Sequence, residues 1–189
     1  MFVRSVTKII SKPPERKLSR HITYSHKIKM KNYYLKVLSV SRYNQGIFKP
    51  KNPQKYKGDA SNIIFRSSWE CRLMSHFDLH ENVLSWQSEE VRIPYISPTD
   101  NRKHTYYPDF VVVTKNKQGI IETLMIEVKP LAQTKPPIIT EEKKKTKRYI
   151  REVMTWGVNS SKWAAAEKFC AAQGWKFMIM TEKEIFGKK

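Results

Sequence analysis

Apolar positions along this chain switch between a helical and an alternating period, and each switch marks an element. In RSSWECRLMSHFDL, Trp69, Leu73, Met74 and Phe77 recur at helical spacing, which predicts an amphipathic helix with Ser67 or Ser68 as its N-cap. NVLSWQSEEVRIPYIS reads as a strand region bent at Pro94, and SPTDNRKH as a turn-rich loop. Two strands follow, TYYPDFVVVT and IIETLMIEVK, joined by KNKQG, where Gly119 suits a positive φ. Beyond Pro130, LAQTKPPIIT should be an extended crossover, because Pro136 and Pro137 exclude a helix. Two helices are expected next. The first begins near EEKKKTKRYIREVMTW; the second, NSSKWAAAEKFCAAQG, would be capped at Asn159 or Ser160 and stopped by Gly174. WKFMIMT predicts a fully buried last strand and EKEIFG a terminal turn, whereas FKPKNPQKYKGDASN is too polar for a core element. Helix, strands, helix, strand is the order of an α/β layered domain with a mixed sheet.

Length and charge narrow the class. At 189 residues, 40% of them hydrophobic and five of them Trp, the chain can bury one core but hardly two. Its 36 Lys and Arg against 17 Asp and Glu give a net charge of +19, more than folding needs. The partner expected of such an excess is a polyanion. Nucleic acid fits best, since it offers a dense row of phosphates; an anionic membrane surface or an acidic protein are the alternatives. Cys71 and Cys170 stand in separate segments without a CxxC pair, which favours reduced thiols. No apolar run approaches the roughly 20 residues that span a bilayer, and no signal-peptide core is visible, so no membrane partner is expected. Residues 1–29 carry eight Lys and Arg against Glu15 alone. They read as a flexible basic arm, as a segment resembling a mitochondrial transit peptide but interrupted by Pro13 and Pro14, or as an extension upstream of a start at Met30.

Three short patterns carry candidate chemistry. Asp109 shares a strand face with Val111 and Val113, and a carboxylate beside valines needs a cation or a metal. Glu127 and Lys129 lie two apart in TLMIEVKP, hence on one face of the neighbouring strand. Two acids and a lysine can then converge at one end of the sheet, an arrangement suited to a hard divalent cation. Glu70 precedes Leu73, Met74 and Phe77 by three, four and seven residues, which puts an acid on or beside the core face of its helix. Each pattern alone has a plainer explanation. E-x-K is commonly a solvent-facing ion pair, and Glu70 could pair with Arg66 or Arg72 at the helix rim. His76 and His80 stand at helical spacing but lack a third ligand for zinc. Lys143, Lys144, Lys145, Lys147, Arg148 and Arg151 form a basic run suited to phosphates, or a solvated helix face with Glu141 and Lys145 paired.

Taken together, Glu70 on the first helix, Pro108 and Asp109 on one strand, and Glu127, Val128 and Lys129 on the next resemble the PD-(D/E)xK nuclease signature. FKPKNPQKYKGD, IIFRSSWE, SEEVRIPYISP, YYPDF, IEVKP and TWGVNSSKWAAAEKFCAAQGWKFMIMTEKEI extend the resemblance across roughly residues 43 to 187. They are similar to the head-completion nucleases of T-even-type tailed phages, and through them to the N-terminal domain of the TnsA endonuclease. The arm before Met30 has no counterpart in that pattern, which favours the upstream-extension reading.

The resemblance implies a single restriction-endonuclease-like α/β domain over 43–189, a mixed β-sheet flanked by helices, preceded by a basic arm over 1–42. It implies a DNA endonuclease using Mg²⁺, with Mn²⁺ as a substitute. The metal would be held by Asp109, Glu127 and the Val128 carbonyl, with Lys129 at the attacking water or phosphate and Glu70 as the further catalytic residue, holding a metal-bound water or completing a second metal shell. DNA would be gripped by Arg66 and the 143–151 basic run. Phage head, portal or neck proteins are the implied partners, and the host bacterial cytoplasm or the virion head the implied location. Two other functions share the fold: a structural head or neck protein, and a transposition or restriction endonuclease guided by a partner.

Overall fold

The computed structural model describes residues 45–138, 140 and 146–187. Strands β1 (Gly46–Phe48) and β2 (Ile63–Phe65) form a small antiparallel pair ahead of helix α1 (Ser68–Leu79). Then come β3 (Val83–Ser88), β4 (Ile93–Ile96), β5 (Lys103–Tyr106), β6 (Phe110–Lys115) and β7 (Ile121–Val128). Helix α2 (Lys147–Gln173), strand β8 (Lys176–Met180) and the short helix α3 (Glu182–Phe186) complete the chain. The central sheet has the order β3-β6-β7-β8, antiparallel except for β7 and β8, while β4 and β5 form a separate hairpin. The expected mixed sheet flanked by helices is therefore present.

Alternation along the two middle strands builds a core on each face of the sheet. Phe110, Val112, Leu124 and Ile126 meet Leu73, Met74 and Phe77 of α1, together with Trp86 and Ile185. Val111 and Met125 point the other way, to Ala166 and Cys170 of α2 and to Ile93, Tyr95 and Tyr106 of the β4–β5 hairpin. Fully burying a side chain such as Phe110 or Met125 contributes about 1.5–3 kcal/mol, so both faces are fixed by packing. Ser67 caps α1 as expected, its side chain accepting from the Glu70 N–H. Gly119 turns the β6–β7 hairpin at φ 79°. Neither cysteine is in a disulfide. No helix among the described residues is long and apolar enough to cross a membrane.

Several expectations need correction. The two helices expected before and after Gly157 are one helix of 27 residues, with N-cap Thr146 and a left-handed C-cap at Gly174. Asn159 does not cap it; Asn159, Trp163, Ala166 and Cys170 form a continuous buried stripe, all of it after Gly157, which enters the helix at a cost of roughly 1 kcal/mol relative to alanine. β8 is not fully buried, because it is an edge strand. The segment around Pro94 is two separate strands, and Pro94 itself lies in the edge strand β4, opposite Thr105. The polar loop after β1 still supplies the core with Tyr56, whose ring sits edge-on to Trp86 at 4.7 Å. EKEIF forms a helical turn closed by a Thr181–Glu184 capping box.

Candidate active site

The β6–β7 register decides which charged residues meet. Phe110 is paired with Ile126 and Val111 with Met125; extending that register by one residue places Asp109 opposite Glu127. Both then lie on the α2 face of the sheet, with the parity of Val111 and Met125. Asp109 Oδ2 accepts a 2.6 Å hydrogen bond from the Val128 N–H, which sets the Asp109 carboxylate beside the Glu127–Val128 segment. Lys129, just past the end of β7, is fixed by its own N–H to the Met180 carbonyl at 3.0 Å. Its ammonium reaches back to Glu127 Oε1 at 2.7 Å. The acid and base of TLMIEVKP thus form an ion pair, but Glu127 is only 3% exposed. It is not the solvent-facing pair that E-x-K alone suggests.

The other oxygen of Glu127 has a partner that sequence reasoning missed. Tyr106, at the end of β5, donates its hydroxyl to Glu127 Oε2 at 2.5 Å. Tyr106 as a whole is 3% exposed and belongs to the core between sheet, hairpin and α2. Burial, followed by the neighbouring Glu127 charge, pushes the Tyr106 hydroxyl pKa upward, so it acts as a donor. The available signal was position: Tyr106 ends the strand that leads directly into Pro108 and Asp109. Lys162 of α2 lies over the Tyr106 ring, its Nζ 5.6 Å from the centroid.

Electrostatics at Asp109 are strained. Burial first, and then the charges of Glu127 and Glu70, push its pKa up to about 8, against the pull of Lys129 and the Val128 N–H. For Lys129, burial favours the neutral form, but Glu127, Asp109 and the hydrogen bond to Glu127 outweigh it and hold the pKa above the usual lysine value. Such a concentration of negative charge is relieved by a cation.

Glu70 occupies the rim. Oε1 accepts from the Ser67 hydroxyl and Oε2 from the Arg66 N–H, both at 2.7 Å. Its carboxylate therefore closes the N-terminus of α1 while its charge still reaches Asp109 and Lys129. The Arg66 side chain turns to Glu89, with Nε and a terminal nitrogen 3.1 and 2.9 Å from the two carboxylate oxygens. Glu89 has φ 55°, an unusual backbone for a non-glycine residue, and its N–H donates to the Asp109 carbonyl at 3.3 Å. Lys147, Arg148 and Arg151 are exposed on the first turns of α2, Arg148 pairing with Glu152. Lys143, Lys144 and Lys145 lie outside the described residues.

These donors fit a hard divalent cation. Asp109, Glu127 and the Val128 carbonyl offer oxygen only, and at Asp109 burial together with the Glu127 and Glu70 charges outweighs Lys129 and the Val128 N–H. No group of three His, Cys, Asp or Glu side chains forms a metal cage among the described residues. A cation here would take the rest of its shell from water and a phosphate, as Mg²⁺ commonly does. The His76 and His80 rings lie 4.9 Å apart, tilted by 46°, without forming such a site.

A family model described as TnsA-like endonuclease N terminal matches residues 80–182. The chain belongs to this family. The part matched by the TnsA-like model contains Tyr106, Asp109, Glu127 and Lys129 and begins after Glu70. The chain is also similar to the head completion nuclease of Enterobacteria phage T4, with 36% identity over 141 residues, 72% of this chain and 90% of that protein.

Proposed function

We propose that this protein is a metal-dependent DNA endonuclease of phage head completion, hydrolysing phosphodiester bonds at packaged DNA ends before the tail is attached. The observation that carries the reading is the meeting of Asp109, Glu127 and Lys129 at one sheet end, with Asp109 pushed up to about 8 by burial and its acidic neighbours. The relative named a head completion nuclease supports the biological setting, and the net charge of +19 supports DNA as the substrate. Head, portal or neck proteins are the partners in this setting, with work in the host cytoplasm and retention in the virion.

Asp109, Glu127 and the Val128 carbonyl would hold Mg²⁺, or Mn²⁺ in its place. Once bound, such a cation polarises the scissile phosphate and lowers the pKa of a water, supplying a nucleophile at neutral pH. The remaining work belongs to the chain. Lys129, a point charge on a flexible stem, exchanges Glu127 for the phosphate oxygen that gains charge as the water attacks. Glu70 sets the α1 terminus and adds negative charge at the edge of the site. Arg66, Lys147, Arg148 and Arg151, with Lys143, Lys144 and Lys145, bind phosphates along the duplex and position it without reading bases.

The test is incubation of purified protein with plasmid DNA in Mg²⁺, in chelator, and with Asp109→Asn. Cleavage by the wild type in Mg²⁺ alone, and none by the variant, is expected. Equal cleavage by a folded Asp109→Asn protein would overturn the assignment. Head completion that survives Lys129→Ala would favour a structural role over cleavage.

A further inference from the structure

We infer that Tyr106 is a positioning residue for the metal ligand Glu127, the fixed anchor that keeps this carboxylate in place when Lys129 leaves it for the substrate. The inference rests on the proposal that Asp109 and Glu127 hold the cation. Glu127 has two partners of different character. Lys129 reaches Oε1 through a long stem, and its side chain is 24% exposed, so its ammonium can move toward a phosphate. Tyr106 reaches Oε2 from within the core at 3% exposure. Its hydroxyl oxygen lies on the axis of the ring, so even a ring flip leaves that oxygen where it is.

The consequence follows from the hydrogen-bonding capacity of a carboxylate. Each oxygen offers two lone-pair sites; with one on each oxygen used by Lys129 and Tyr106, the others remain for a cation. Release of Lys129 would free one side of Glu127, and Tyr106 would still orient the group. Partners that orient a metal ligand in this way commonly change metal affinity 10–100-fold when removed. Tyr106 arrives on the β4–β5 hairpin, outside the central sheet, so the hairpin serves as a brace for the site. Tyr95 on the same hairpin provides an internal control: its ring is in the same core, and Lys162 Nζ lies 5.8 Å from its centroid, while Glu127 bonds to Tyr106.

Mn²⁺ titration by calorimetry, without DNA, tests the assignment on wild type, Tyr106→Phe, Tyr95→Phe and Asp109→Asn, with near-ultraviolet circular dichroism to check folding. Tyr106→Phe should bind Mn²⁺ about tenfold more weakly, and Tyr95→Phe as the wild type does. In cleavage assays at saturating metal, Tyr106→Phe should lower kcat with KM for DNA unchanged. Wild-type Mn²⁺ affinity in a folded Tyr106→Phe protein would overturn the anchor, as would equal losses in both tyrosine variants, which would mark a packing role. Absence of Mn²⁺ binding in the wild type, or full binding by Asp109→Asn, would instead overturn the metal site itself.

Discussion

Asp78 is buried and Asp109 half-buried, and their surroundings give the two aspartates opposite characters. Asp78, 1% exposed near the end of α1, accepts from the Lys51 N–H on one oxygen at 2.8 Å and from the Asn52 N–H on the other at 3.0 Å. Asn52 returns a bond from its side chain to the Asp78 carbonyl at 2.9 Å. That carboxylate is closed: neutral donors cover it, and it ties the 49–52 loop to the helix. Asp109 has the Val128 N–H and two acidic neighbours. A carboxylate satisfied by backbone amides holds a fold together, whereas one crowded by its own kind has affinity left for a cation.

The largest expected effect separates the two roles. Asp109→Asn should reduce cleavage at least about 10³-fold, on the order of 4 kcal/mol of transition-state stabilisation, and should leave the melting temperature unchanged or raised. Asp78→Asn should behave in the reverse way. It sets an amide N–H₂ against a backbone donor, so a loss of ~2–3 kcal/mol and a fall of about 5–10 °C in melting temperature are expected, with cleavage per folded molecule retained. Thermal melts and initial rates on the same preparations decide it. A stability loss in Asp109→Asn as large as that of Asp78→Asn would erase the distinction.

A pH series sharpens the contrast. The Asp109 pKa lies at about 8 in the fold, raised from 3.8, so the native state holds a proton that the unfolded chain releases. Its contribution to stability is complete below pH 4 and is lost as pH rises toward 8. His76 acts in the opposite direction: burial first, then His80 and Arg72, lower it from 6.5 to about 4, so its share is lost as pH falls below 6.5. The window from pH 6.5 to 8 therefore reports on Asp109. Metal-free protein should lose stability there by up to ~1.4 kcal/mol per pH unit, Mg²⁺ should reverse the loss, and Asp109→Asn should be flat. Urea melts at fixed pH, with and without Mg²⁺, measure all three.

How much of this was legible in the sequence depends on the range of the interaction. The α1 apolar face, its Ser67 cap, the β6–β7 hairpin with Gly119, and the meeting of Asp109 with Glu127 and Lys129 all follow from periodicity and turn chemistry over a few residues. The β4–β5 hairpin's role did not, because Tyr106 meets Glu127 across 21 positions and an isolated tyrosine in a strand reads as core. Asp78 was equally hidden, since its donors are main-chain groups 26 and 27 residues away. Gly157, Asn159 and Ser160 look like a helix boundary locally, but Asn159 turns inward at the start of the buried stripe of α2 and the helix runs on through them. Glu70 was visible as an acid near a core face; its use as a cap for its own helix is the local detail that sequence spacing left open.

The smallest expected effect concerns a third kind of carboxylate, the half-buried Glu89. Its partner Arg66 is 58% exposed by side chain against 36% for Glu89, so solvent screens the pair despite its two-pronged geometry. Removing the pair should cost at most about 1 kcal/mol. Arg66→Ala should therefore leave the melting temperature within a few degrees of the wild type, far from the loss expected of Asp78→Asn. On the proposed reading of Arg66 as a phosphate-binding residue, its effect falls on the substrate instead. Arg66 follows β2 directly, and its guanidinium feels the Glu70 and Asp109 charges, which places a fixed-charge fork at the site's edge. Its removal should weaken duplex binding several-fold and reduce the salt dependence by about one phosphate contact, read by fluorescence anisotropy over a range of NaCl concentrations in Ca²⁺. Glu89→Gln frees the same guanidinium and should shift binding the other way. If neither variant alters the salt slope, Arg66 serves only to hold Glu89, and the exposed pair joins Asp78 on the structural side of the comparison.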